Sequence, residues 1–495
     1  MSLFIRKPVA DLLADADRGI LRRSLGPFNL TALGIGSVIG TGIFVLTGTA
    51  ASQNAGPALV ISMIISAIGC AFAGLCYAEF AAMVPVAGSA YTYAYATVGE
   101  LFAWIIGWDL VLEYALSTAT VAVGWSGYLV SLARDVGLPL PPALTAPPGT
   151  LVPDGSGGQV AGMFNLPAAL VVALVAILLI RGIRQSATLN TWLVVTKCLV
   201  LLVFVVVGAT YVTRDNLTPF IPPNTGEFGH FGVSGILRGA GVMFFAYVGF
   251  DSVSTAAQEA RNPQRDMPIG MLASLAICTV IYIAVAIVLT GIVPYPRLNV
   301  ADPLAVGIDA TGARWLSPFI KVSALFGLFS TMIVTMLGQT RVFFTMSRDA
   351  LLPDLFGRVH PVFRTPHLST ATTACIVALV AGLTPINKLG ELTSIGTLLA
   401  FVLVCLGIIL LRRTDPDTPR PFRTPWVPWV PLLGVAFCVL QMASLPIETW
   451  ERLIIWLVLG FVVYFGYSRR RAAGARRQRA AGTVSTPAGT LPSAR

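Results

Sequence analysis

Charged residues are scarce in this sequence. Asp, Glu, Lys and Arg make up only 11% of its 495 residues, whereas 55% are hydrophobic, and the mean hydropathy is +0.78. This composition excludes a soluble globular domain and a disordered chain. Apolar runs long enough to cross about 30 Å of hydrocarbon recur along the chain. We therefore predict an all-α integral membrane protein with about twelve transmembrane spans, near 28–49, 57–84, 100–133, 164–181, 189–212, 233–258, 268–293, 315–345, 368–384, 390–411, 427–444 and 449–468.

Histidine is nearly absent, and neither histidine nor cysteine is spaced for a metal site. The three histidines fall in predicted loops, which excludes a histidine proton relay within the membrane: His230, His360 and His367. The seven cysteines lie in apolar segments, so we expect no metal site and no disulfide framework. A phosphate-binding loop of the Gly-x-x-x-x-Gly-Lys-Ser/Thr kind is missing, as is any nucleophile–base set. We expect a transporter rather than an enzyme, without a cofactor.

The net charge of +10 follows membrane topology rather than nucleic-acid binding. With twelve spans and a cytoplasmic N-terminus, about 24 of the 33 Lys and Arg residues fall on the cytoplasmic side, as the positive-inside rule requires. We predict that both termini are cytoplasmic and that the basic residues contact anionic lipid headgroups. Residues 1–26 are expected to form a cytoplasmic segment, and residues 469–495 a disordered basic tail.

The first span is interrupted by glycines. Four glycines fall between residues 34 and 42, and local unwinding at Gly40, Thr41 and Gly42 would free backbone N–H groups at the start of a half-helix. Such groups bind a carboxylate without an arginine. The alternative is close helix packing through the Gly-x-x-x-Gly pair Gly36 and Gly40.

The sixth span carries a second interruption, within residues 239–251. Paired interruptions in two halves of a chain indicate a substrate site at the bilayer midplane. Unwinding around Ala246, Tyr247 and Val248 would expose carbonyls to an α-ammonium group, and Phe245 and Tyr247 are placed to wall or gate the pocket. A carboxylate at Asp251 normally requires a partner or a cavity at this depth, and we expect a structural or gating role for it.

Lys197 is the most deeply placed cation. It lies roughly 10 Å along the fifth span from Asn190, at 1.5 Å per residue, which is too deep for easy snorkelling. One interpretation is a static ion pair or carbonyl anchor. The other is a proton-coupling cation whose ammonium, held by oxygens of the first and eighth spans, takes the place of a sodium ion.

Further polar or functional candidates lie in other spans. Asp109 and Glu113 share one face of the third span, at a separation of four residues, and we expect proton coupling from Glu113 and a structural role for Asp109. Tyr114 is a candidate gate, Glu79 a gate or helix cap, and Met332 a candidate pocket wall, although a methionine in a membrane is usually packing.

Four separated blocks resemble the cationic amino acid transporter branch of the amino acid–polyamine–organocation superfamily. They are GIGSVIGTGIF at 34–44, FFAYVGFD at 244–251, EARNPQRDMP at 259–268 and RVFFTMSRD at 341–349. The resemblance implies a five-plus-five inverted-repeat, leucine-transporter-like fold with discontinuous helices 1 and 6. The first repeat would cover 27–213, the second 214–411, and spans 11 and 12 would occupy 412–468.

The resemblance also implies the site. The substrate carboxylate would meet Thr41 and Gly42, and its amine would meet carbonyls around Val38, Phe245 and Val248. The substrate side chain would lie near Phe245 and Met332, and Lys197 would replace sodium in proton-coupled uptake.

We therefore expect proton-coupled symport of L-amino acids, small neutral ones such as alanine, across a bacterial inner membrane. The alternatives are a cationic amino acid carrier, an amino acid or polyamine exchanger, and a sensor that binds but does not transport. The protein is expected to work as a monomer or with a small membrane subunit.

Overall fold

A computed structural model describes residues 5–6, 25–83, 89–153, 158–182, 187–313, 315–363 and 365–480. The predictions for 1–4, 7–24 and 481–495 lie outside these residues. The described chain is predominantly helical, as predicted. Its strands are a hairpin between the third and fourth spans, in which β1 (Leu151–Pro153) pairs antiparallel with β2 (Gln159–Ala161).

Twelve spans can be traced in the described residues. Eight runs are long and apolar enough to cross a membrane, and three shorter apolar helices accompany them. One of the eight, Gly42–Met83, holds the second half of span 1 and all of span 2. The α-helical parts of spans 1 to 6 are Pro27–Val38 with Thr47–Ala50, Leu59–Met83, Glu100–Asp135, Leu166–Arg181, Ala187–Ala209 and Gly232–Met243. Those of spans 7 to 12 are Pro263–Ile292, Leu316–Arg348, His367–Leu383, Ile386–Thr414, Trp429–Ser444 and Ile447–Val463.

Spans 1 and 6 are discontinuous, as predicted. The first α-helix of span 1 ends at Val38, and the helix resumes as a π-turn at Gly42–Leu46. The α-helix of span 6 ends at Met243 and continues as two 3-10 segments, Phe244–Tyr247 and Phe250–Glu259. Because the break in each span leaves helix-terminal N–H and C=O groups without intrahelical partners, both breaks can offer backbone groups to a ligand.

In the described part of the chain, three α-helices lie outside the spans: α1 (Ser89–Thr97), α2 (Pro303–Thr311) and α3 (Arg469–Ala480). Helices α1 and α2 have nine residues each and follow spans 2 and 7, the corresponding positions in two sets of five spans. This order agrees with a five-plus-five arrangement. The boundaries of the repeats at 213 and 411 stay a prediction.

The expectation that the chain is disordered from residue 469 is wrong for 469–480, which form α3. Arginine and alanine are good helix formers, and Ala472 is only 2% exposed. Two arginines of α3 also reach carboxylates of the bundle, Arg471 that of Asp354 and Arg476 that of Glu100. The helix therefore packs on the side where Leu25 precedes span 1, which we call the terminal face.

Candidate functional site

The two interrupted spans interlock at their breaks. A Cβ on Gly42 would overlap the Cα of Ala246, so only glycine fits where span 1 crosses span 6. Gly249 has a φ of +118°, a conformation that favours glycine, and a Cβ there would lie 3.0 Å from the carbonyl carbon of Ser37. The hydroxyls of Ser252 and Ser37 are hydrogen-bonded to each other at 2.7 Å. Gly42 and Gly249 therefore allow spans 1 and 6 to approach each other closely, in addition to permitting the breaks in their helices.

A cavity of about 440 Å³, including the space at its mouth, lies at this crossing. Six serine and threonine side chains line it, and none of the described lining residues is charged. The Thr41 hydroxyl is fully buried and has no hydrogen-bond partner within the described structure. The lining residues are Ser37, Val38, Gly40, Thr41, Gly42, Tyr114, Ser117, Val121, Phe245, Val248, Gly249, Ser252, Thr331, Val334 and Thr335.

Lys197 lies directly behind the break in span 1. Its ammonium donates to the carbonyls of Gly36 and Ile39 and to the hydroxyl of Thr331, each at 3.1 Å. The side chain is 1% exposed. The predicted contact with oxygens of the first and eighth spans is therefore confirmed. The same arrangement supports both the coupling interpretation and that of a static anchor.

Most of the predicted substrate-binding residues line the cavity: Val38, Gly40, Thr41, Gly42, Phe245 and Val248. Ala246 instead packs on Gly42. The Tyr247 hydroxyl points away and donates to the Met63 carbonyl at 3.1 Å.

Met332 is fully buried and does not line the cavity. Its neighbours Thr331, Val334 and Thr335 do, because residues three and four apart share a helix face, whereas the adjacent residue points about 100° away. Span 3 has the same pattern in Tyr114 and Ser117. The serines, threonines and valines of these faces were not predicted, although their helical spacing from Tyr114 is present in the sequence.

The predicted acidic residues lie outside the cavity lining. Asp109 and Glu113 are buried, and in the described structure both oxygens of Asp109 and Oε1 of Glu113 lack a hydrogen-bond partner. Asp109 faces span 10, where a Cβ on Gly396 would lie 3.1 Å from its Oδ1. Asp251 is 2% exposed in the second 3-10 segment of span 6.

Glu79 connects span 2 to the end of span 10 and to the chain that follows it. It is fully buried, accepts two hydrogen bonds from Arg412, at 3.1 and 2.8 Å, and accepts the Thr424 N–H at 2.7 Å. This placement supports a structural role for Glu79 at the end of span 2 that lies on the terminal face.

The cavity is closed on the side opposite to the terminal face. Ile43 and Phe44, in the second half of span 1, are fully buried, and Pro303 of α2 packs on Gly48. Towards the terminal face, a stripe of span 8 with helical spacing is partly exposed: Val334, Gly338, Arg341 and Thr345. A Cβ on Gly338 would lie 3.1 Å from the Tyr114 ring, which places Tyr114 beside this route.

Residues 25–464 match the family model for amino acid permeases. The chain belongs to the amino acid permease family. The methylthioribose transporter of Bacillus subtilis (strain 168) is 44% identical to it over 471 residues, which cover 95% of this permease and 99% of that protein. The branched-chain amino acid permease BcaP of the same organism is 44% identical over 473 residues, covering 95% and 98%.

Cationic amino acid transporters are also relatives of this permease. The vacuolar cationic amino acid transporter 4 of Arabidopsis thaliana is 35% identical over 398 residues, covering 80% of this chain and 64% of that protein. The predicted superfamily is therefore confirmed, and the protein is a multi-pass membrane transporter rather than an enzyme.

Proposed function

We propose that this permease takes up neutral L-amino acids together with a proton, by alternating access across a bacterial inner membrane with both termini in the cytoplasm. The observation that carries the proposal is the position of Lys197. Its ammonium donates to two carbonyls where the first helix of span 1 ends, those of Gly36 and Ile39, and to a hydroxyl of span 8. A group that gains or loses a proton there changes the connection between spans 1 and 8, two of the spans that line the cavity.

The substrate backbone would bind to the two breaks. The carboxylate would accept hydrogen bonds from the N–H groups at 40–42 and from the Thr41 hydroxyl, which has no other partner in the described structure. The α-ammonium would donate to carbonyls of Val38, Phe245 and Val248. Positive helix ends favour the carboxylate and negative ends the ammonium.

The substrate side chain would lie between spans 3 and 8, against Ser117, Val121 and Val334. This surface has no described carboxylate to pair with a lysine or arginine substrate. Burying a cation without a partner is costly, so neutral side chains are favoured. The naming of a 44% identical relative as a branched-chain amino acid permease supports the same substrate class.

Coupling would follow from the hydrogen bonds of Lys197. While protonated, the ammonium donates to all three oxygens and holds span 1 against span 8. Loss of the proton removes one donor and the positive charge, which weakens the hold and favours release of the substrate. The Glu113 carboxyl is a candidate for a second proton-binding group.

Uptake by the purified protein in liposomes tests this proposal. We expect an inside-alkaline pH gradient to drive accumulation of radiolabelled alanine, with competition by leucine and valine but not by arginine or lysine. Accumulation that requires internal amino acid instead of the gradient would establish exchange. Competition only by arginine and lysine would establish a cationic carrier, and saturable binding without flux would establish a sensor.

A second candidate substrate is a hydroxylated thioether sugar. The six serine and threonine side chains of the cavity and the 44% identity to a methylthioribose transporter favour it. Unlabelled methylthioribose added to the same alanine assay would compete if the two substrates share the site.

A further inference from the structure

Helix α3 is bonded to the bundle at two places on the terminal face. Arg476 pairs with Glu100, the first residue of span 3, and Arg471 pairs with Asp354, shortly after span 8. We infer that α3 is a built-in clamp that stabilises the conformation in which the cavity is closed on the opposite face and leads towards the terminal face.

The contact with Glu100 is the more buried of the two. The Glu100 side chain is only 3% exposed and accepts hydrogen bonds from the hydroxyls of Tyr95 and Tyr464, both at 3.1 Å. Among the described residues, Arg476 is the cation that bonds it. An ionised carboxylate is costly to bury without a counter-charge, so α3 completes a site whose other partners come from α1 and span 12.

The second contact joins α3 to the chain after span 8. Arg471 donates to the carbonyl of Leu352 at 2.7 Å in addition to its pair with Asp354. In the same region, the Tyr91 hydroxyl of α1 donates to Asp349 at 2.8 Å. Helix α3 therefore connects α1, the start of span 3 and the end of span 8, around the route that leaves the cavity.

Helix α1 connects these contacts to span 6, one of the two interrupted spans. It contacts the second 3-10 segment of span 6, and its Tyr93 ring stacks on Phe80 of span 2 at 5.4 Å. The end of span 6 is in turn bonded to the start of span 1, since Leu25 N–H donates to Glu259 and Arg261 N–H donates to Leu25. A change that closes the terminal face must move these segments relative to α3. Stabilising one of two conformations reduces the population of the other.

The test measures access to the cavity and requires no substrate. A Ser117→Cys reporter, whose side chain lines the cavity, is alkylated by a membrane-impermeant maleimide in right-side-out and in inside-out membrane vesicles. The same protein without the reporter gives the background from the native cysteines. The variants are Arg476→Gln, Arg471→Gln and a chain that stops at Ser468. Arg470→Gln is the matched control, since it removes the same charge from an exposed position of α3.

We expect each of the three variants to lower the ratio of labelling from the terminal face to labelling from the opposite face by at least threefold, whereas Arg470→Gln leaves it unchanged. A purely structural role would lower the amount of folded protein without changing this ratio. If Arg476→Gln fails to fold because Glu100 loses its partner, Arg471→Gln decides, because its partner Asp354 is 80% exposed. Unchanged ratios in the variants that fold would overturn the inference.

Discussion

Replacing Lys197 by glutamine should uncouple transport from the proton. The Lys197 ammonium makes three hydrogen bonds at 3.1 Å, and a hydrogen bond to a charged group contributes about 1.5–3 kcal/mol. Glutamine is shorter, neutral and has two donors, so we expect the conformation that holds these bonds to lose on the order of 3 kcal/mol. That loss corresponds to roughly a 100-fold change in the equilibrium between transport conformations.

The assay is accumulation of labelled alanine in liposomes with an inside-alkaline gradient of one pH unit. One-to-one symport would give about tenfold accumulation, because one pH unit is worth about 1.4 kcal/mol per proton. We expect Lys197→Gln to reach a ratio of about 1 while still exchanging internal for external alanine. Lys321→Gln is the matched control, since Lys321 is also buried but bonds Asp135 at 2.6 Å, away from the cavity lining. Gradient-driven accumulation by Lys197→Gln equal to that of the parent protein would refute the coupling role.

Three further substitutions separate the site from its surroundings. Gly42→Ala should abolish uptake at normal protein abundance, because its methyl group overlaps backbone of Ala246; substrate binding measured by calorimetry would contradict this if it remained normal. Met332→Ser should leave the order of competing amino acids unchanged and lower the unfolding temperature, since removing a buried methionine costs about 2–5 kcal/mol; a broader substrate range would place Met332 in the pocket. Glu79→Gln should lower the unfolding temperature in detergent without changing KM, because it weakens the bonds to Arg412; a changed KM would instead indicate a gate.

The overall fold and the location of the site could be predicted from the sequence because both leave signals in single segments. Long apolar runs mark the spans, and glycines such as Gly42 and Gly249 mark the breaks. Lys197 was recognisable because a cation in the middle of an apolar segment has few structural explanations. Its three partners belong to spans 1 and 8, and the prediction of oxygens from those spans was confirmed.

The remaining parts of the site depend on how helices are rotated against one another. Met332 and Val334 are both apolar residues of the same span, and only the orientation of span 8 places Val334 on the cavity. The helix at 469–480 was missed for a related reason. Its composition resembles a disordered tail, and its order comes from the distant carboxylates of Asp354 and Glu100, which bear no local signal.

The position of Lys197 also suggests how the proton and the substrate could influence each other. The carbonyl of Ile39 accepts from the Lys197 ammonium at 3.1 Å, and the same peptide unit carries the N–H of Gly40, which lines the cavity. Hydrogen bonds in a chain polarise one another, so a protonated Lys197 should make this N–H a stronger donor to the substrate carboxylate. Because linkage between two binding events is reciprocal, bound carboxylate should equally favour the protonated lysine. Substrate affinity should therefore depend on pH in the parent protein and lose that dependence in Lys197→Gln.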